Sequence, residues 1–79
     1  MNAMTLATSL WFALQDGEEV KALKQVTEGI DKTTTKYFLE ISGKQYPASE
    51  GLYKQAISHG AIPDTLPKQY KINQVTFQI

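Results

Sequence analysis

Leu6, Leu10 and Leu14 recur every four positions with Trp11 beside Leu10, which places them on one face of a helix over about 5–15. The same stretch alternates as Leu10, Phe12 and Leu14 ahead of Asp16-Gly17, a hairpin dipeptide, so a strand competes for it. Its Ala and Leu content favours the helix on propensity.

Asp16 and Glu19 stand at the spacing of a capping box, with Glu18 as a second acid for the first turn. Val20, Leu23, Val26 and Ile30 then follow at three- and four-residue intervals, Glu18 and Lys21 stand at i,i+3, and Gly29 offers a stop. This pattern predicts a second helix over about 16–28. Thr33 to Ile41 is β-branched and aromatic, with Tyr37, Leu39 and Ile41 on one face and Phe38 and Glu40 on the other, so it predicts a strand. Ser42-Gly43 makes a turn, and Lys44 to Tyr46 returns as a short partner that Pro47 confines to an edge or ends.

Ser49 caps a helix from Glu50 to His59, with Leu52, Tyr53, Ala56 and Ile57 facing inward and Gly60 at the C′ position. Residues 61–68, with Pro63 and Pro67 around Asp64-Thr65, read as an irregular but stiff loop. Tyr70 to Ile79 reads as one last strand in which Val75, Phe77 and Ile79 alternate with Thr76 and Gln78. A bulge at Asn73-Gln74 would bring Tyr70 and Ile72 into phase. Whether residues 75–79 form an edge or a central strand is open. The expected fold is a single α+β domain over 1–79: a small antiparallel sheet of about three strands against two or three helices, in the order ααββαβ.

The run from Tyr37 to about Ile62 is a hairpin that ends in Ser49-Glu50-Gly51 and leads into a helix closing near Gly60. It resembles the Ser-Glu-Gly element of small YegP-like domains, with Ser42-Gly43 in place of Asn-Gly and Leu52 in place of Tyr. That resemblance covers about a third of the chain and implies a ββα unit.

Composition narrows the chemistry. The 79 residues hold eight Lys and no Arg against eight acids, one His and no Cys, so the formal charge is zero. Disulfides, Cys-based zinc sites and thiol nucleophiles are therefore excluded, and the lack of Cys fits a cytoplasmic setting. No signal peptide or membrane span is read at the N-terminus, where no basic residue precedes a short apolar run. His59 is better explained by the last turn of a helix than as a general base. Glu18 and Glu19 point about 100° apart on a helix and so share no site. No metal-ligand spacing and no Gly-rich phosphate loop occurs, so neither cofactor nor metal is expected. Turns and caps account for four of the five glycines. Gly51, in the first turn of a helix, suggests close backbone approach by another element.

The half from Lys44 onward carries +2 and the preceding half −2. Within the basic half, Tyr46, Tyr53 and Tyr70 interleave with Lys44, Lys54 and Lys71. Tyr covers contact area at low entropic cost, so these six are the candidates for contacting a partner. The expectation is a non-enzymatic, protein-binding inhibitor or accessory protein of the phage or mobile-element kind. Its C-terminal strand would be a route to a homodimer. The alternative is a weak single-stranded nucleic-acid binder that stacks bases on Tyr and tracks phosphates with Lys. A neutral chain without Arg gains little from counterion release, so nucleic acid is the less favoured partner.

Overall fold

The structure is a computed structural model that describes residues 3–72 and 75–78. Its elements are α1 (Ala3–Gln15), β1 (Val20–Gly29), β2 (Thr33–Ile41), β3 (Lys44–Ala48), α2 (Glu50–Ser58), β4 (Ile62–Thr65), β5 (Gln69–Ile72) and β6 (Val75–Gln78). The class is α+β, but the expected ααββαβ order with a three-stranded antiparallel sheet is overturned. Two helices accompany six strands in a mixed, strongly curled half-barrel sheet. Its path runs β3-β2-β1-β5-β6, and β4 also pairs with β1.

Residues 5–15 are helical, as the Leu spacing favoured. Leu6, Leu10 and Ala13 are buried on one side, and Leu14 packs beside them. Asp16-Gly17 closes this helix rather than opening the next. The Gly17 amide donates to the Leu14 carbonyl at 3.2 Å and the Glu18 amide to the Ala13 carbonyl at 2.9 Å. With Gly17 at φ 78°, that is a Schellman motif, which needs a left-handed C′ residue.

The predicted helix over 16–28 is strand β1. It pairs with β2 over nine positions, from Val20 opposite Ile41 to Glu28 opposite Thr33. The three-residue apolar spacing misleads because β1 is buried on both faces near its start. Ala22 is 0% exposed on the helix side and Leu23 is 3% exposed on the other, opposite Phe38. A strand buried twice loses its alternation and can look helical. Lys21 accordingly pairs across the sheet with Glu40, at 3.9 Å, and not with Glu18. Gly29 ends this strand; a Cβ there would meet the Lys32 carbonyl oxygen at 3.1 Å.

The ββα unit is present. Ser42 (φ 53°) and Gly43 (φ 80°) form the two-residue turn between β2 and β3, with Ile41 opposite Lys44. β3 is an edge strand, as Pro47 requires. Ser49 caps α2 by accepting from the Leu52 amide at 3.1 Å, and Gly60 (φ 109°) ends it in a second Schellman motif. Gly51 does not mark a close approach, since nothing lies within 4 Å of where its Cβ would be.

The predicted loop over 61–68 contains β4, which runs parallel to β1 from Lys21 opposite Ile62 to Lys24 opposite Thr65. The predicted single strand from Tyr70 is two strands, β5 and β6, paired antiparallel with Ile72 opposite Val75. β5 is parallel to β1, and β6 lies at the sheet edge. The expected bulge at Asn73-Gln74 falls outside the described residues.

Both helices pack on one face, around Val20, Ala22, Leu39 and Ile41, and join them in a single core with Ala56 and Ala61. The molecule is long, 43 × 22 × 20 Å. Every buried strand residue lies in 20–23 of β1 or 39–41 of β2, so the far half of the sheet holds no core among the described residues.

Candidate functional site

Directly paired residues share a sheet face and neighbours in a strand alternate, so the registers assign each candidate to a side. Tyr46, opposite Leu39, faces the helices and is half-buried against the core. Lys44 begins the same strand. The two line a hollow of 420 Å³ with Phe12, Asp16 and Glu18 at the end of α1. Tyr53 is half-buried on α2, with its ring 4.7 Å from that of Tyr37. Lys54 beside it is exposed and reaches the Glu50 carboxylate at 2.9 Å. That hydrogen bond, with the charge attraction, holds the Lys54 ammonium above the ordinary lysine range.

Tyr70 is on β5, opposite Glu28, on the helix-side face but beyond the helices. Lys71 follows it and therefore points to the other face. Tyr46, aligned with Ala22 through Leu39, and Tyr70, aligned with Glu28, stand six residue steps apart along β1. That is about 20 Å at ~3.3 Å per residue. The six candidates thus fall at three separate places, and Tyr46 and Tyr53 are committed to packing.

The structure brings together a different set. Where the chain leaves β4 it peels away from β1 and leaves an open cleft of 640 Å³ lined by Lys24, Val26, Thr65, Leu66, Pro67 and Lys68. Its chemistry is amphipathic, with Val26, Leu66 and Pro67 flanked by two ammonium groups. Lys68 is 2.8 Å from Glu28 and 5.5 Å from the Tyr70 ring, so the tyrosine adjoins the cleft. The hydrogen bond to Glu28 raises the Lys68 pKa above that of an ordinary lysine. Among the described residues Lys24 makes no ion pair.

Sequence reasoning missed this group because it placed Lys24 and Val26 in a helix and 66–68 in a loop. The available signal was the period-two series Val20, Ala22, Lys24, Val26, which puts these four on one strand face.

The opposite face carries a polar hollow of 160 Å³ lined by Thr27, Thr34, Lys36, Gln69, Lys71 and Thr76. The Thr27 hydroxyl donates to the Gln69 side-chain oxygen at 3.3 Å. Tyr46 and Tyr70 lie on the other side of the sheet from Lys36 and Lys71. His59 is the C-cap of α2 and meets Trp11 edge-on, with ring centroids 4.7 Å apart. Among the described residues no three His, Cys, Asp or Glu side chains cluster, and no helix is long and apolar enough to cross a membrane. No protein family, curated protein or solved structure matches the chain.

Proposed function

We propose that the chain is a small non-enzymatic module that binds another protein, an inhibitor or accessory protein of the phage or mobile-element kind, and acts by occupying its partner's surface. One observation carries this reading: the helices cover half of their sheet face, and the uncovered half holds the cleft of Lys24, Val26, Leu66, Pro67 and Lys68. An apolar floor between cations suits a segment that carries an apolar side chain next to a carboxylate. Tyr70 extends the contact area at little entropic cost. The non-enzymatic element rests on composition, with one His and no Cys, and the same lack of Cys favours a cytoplasmic setting.

Tyr stacking with Lys tracking of a nucleic-acid strand has weaker support, because consecutive Tyr70 and Lys71 face opposite ways.

The test is affinity for the partner recovered from the native host, compared across variants. Lys24→Glu and Tyr70→Ala, with melting temperatures near wild type, are expected to weaken binding at least tenfold, about 1.4 kcal/mol or more. Lys54→Ala, on α2 and outside the cleft lining, is expected to bind as wild type. Equal binding by all three variants would remove this reading.

A further inference from the structure

Among the described residues the sheet has three strand edges without a neighbour, on β3, β4 and β6, and their hydrogen-bonding groups are not equivalent. The Leu66 amide donates to the Lys24 carbonyl at 2.9 Å, so the even-numbered residues of β1 aim their peptide groups at β4 and β5. In the parallel pairing of β4, Ile62 and Asp64 then face β1, while Pro63 and Thr65 face outward. Pro63 has no N–H, and the Thr65 amide donates to its neighbour's Asp64 carboxylate at 2.8 Å. The β4 edge therefore offers no free donor at either outward position.

On β3, Gln45 and Pro47 point outward, and Pro47 again removes a donor. On β5, Gln69 and Lys71 bond towards β1, and Tyr70 and Ile72 bond towards Phe77 and Val75. This leaves Thr76 and Gln78 of β6 outward, each with its N–H and C=O. β6 lacks Pro, Lys and any other charged residue, the devices that usually protect an edge. Exposed apolar side chains lie near its start, Val75 at 59% and Ile72 opposite it at 46%.

We infer that β6 is a docking edge and that its occupant is a second copy of this chain, paired antiparallel about a two-fold axis. Thr76 of one copy then bonds to Gln78 of the other and the reverse, a register that closes on itself and joins two sheets into one. The choice of a second copy rests on the uncharged strand and on a formal charge of zero, which leave two copies without charge repulsion. The assignment does not depend on the cleft taking a partner, and its readout is oligomeric state rather than capture.

Light scattering and sedimentation of the whole chain from micromolar to millimolar concentration test it. Thr76→Pro removes an outward donor without touching the β5 ladder, and Gln45→Pro makes the same change on the already blunted β3 edge. The expected result is a reversible dimer for wild type and Gln45→Pro, and a monomer throughout for Thr76→Pro. Amide exchange at Thr76 and Gln78 in the wild type should slow as concentration rises. A wild-type monomer at every concentration overturns the proposal, including the case in which the edge takes a foreign strand. So does a dimer that survives in folded Thr76→Pro, or an open-ended polymer. Should Thr76→Pro unfold, the wild-type exchange data decide: no concentration dependence at those two amides sinks the inference.

Discussion

Two glycines of this chain show how backbone angle rather than free space sets the effect of a residue. Neither Gly17 nor Gly51 has an atom within 4 Å of where a Cβ would stand, but Gly17 has φ 78° and Gly51 lies in the first turn of α2 without a positive φ. Gly17→Ala forces an L residue into the left-handed region at a cost of about 1–2 kcal/mol. At roughly 4–8 °C per kcal/mol for a domain of this size, the loss is readily seen in a melting curve. Gly51→Ala removes unfolded-state entropy at a helical position and is expected to raise stability by about 0.5–1 kcal/mol. Thermal unfolding of the two variants side by side checks the opposite signs. Gly60, foreseen as a C′ residue, is the counterpart of Gly17 at the end of α2. Reading Asp16-Gly17 as the start of an element, not as the stop of α1, displaced the next boundary and hid β1.

At the scale of elements, the strongest local signals survive intact: β2 from its β-branched run, the Ser42-Gly43 turn, and α2 between Ser49 and Gly60. β1 is different, because its conformation is imposed by β2 over nine paired residues. Leu23 tests this assignment, since a helix would turn it the same way as Val20, whereas the strand buries it on the face away from the helices. Leu23→Ala is expected to cost about 2–5 kcal/mol, as for a buried leucine, and Val26→Ala, on the open half of the same strand, under about 1 kcal/mol. Chemical denaturation of both variants decides it; equal costs would mean that the two-sided burial of β1 is wrong. β4 escaped notice because two prolines in the eight residues 61–68 suggest a loop. A strand tolerates Pro63 when the missing N–H would have faced outward, a condition visible only once a neighbour is known.

Over the whole molecule, stability is distributed unevenly along the 43 Å axis. The helices share one core with Val20, Ala22, Leu39 and Ile41, whereas the described residues of β5 and of the far ends of β1 and β2 include no buried apolar side chain. Amide exchange should therefore be slowest at Ala22, Leu39 and Ile41 and faster by orders of magnitude at Tyr70 and Thr35, through local opening. Uniform protection along β1 and β2 would contradict this division. The same unevenness places the cleft and the open edge together, because both lie where no helix covers the sheet.

The candidate site was legible only in part. Tyr70 was found from composition and lies at the cleft, but Lys24, Val26 and Leu66 carry no local mark of function. What they share is position, created when the chain leaves β4 and rejoins β1 three residues later as β5. By itself the sequence determined what acts over a few bonds: the caps, the Gly60 stop, the Ser42-Gly43 turn, the β2 propensity and the absence of thiol chemistry. Only the tertiary structure decided whether β1 would be helix or strand, that β4 pairs at all, which edges keep free donors and which half of the sheet stays bare. Those outcomes depend on partners tens of residues away, and long-range pairing overrides a local preference worth a few tenths of a kcal/mol per residue, roughly.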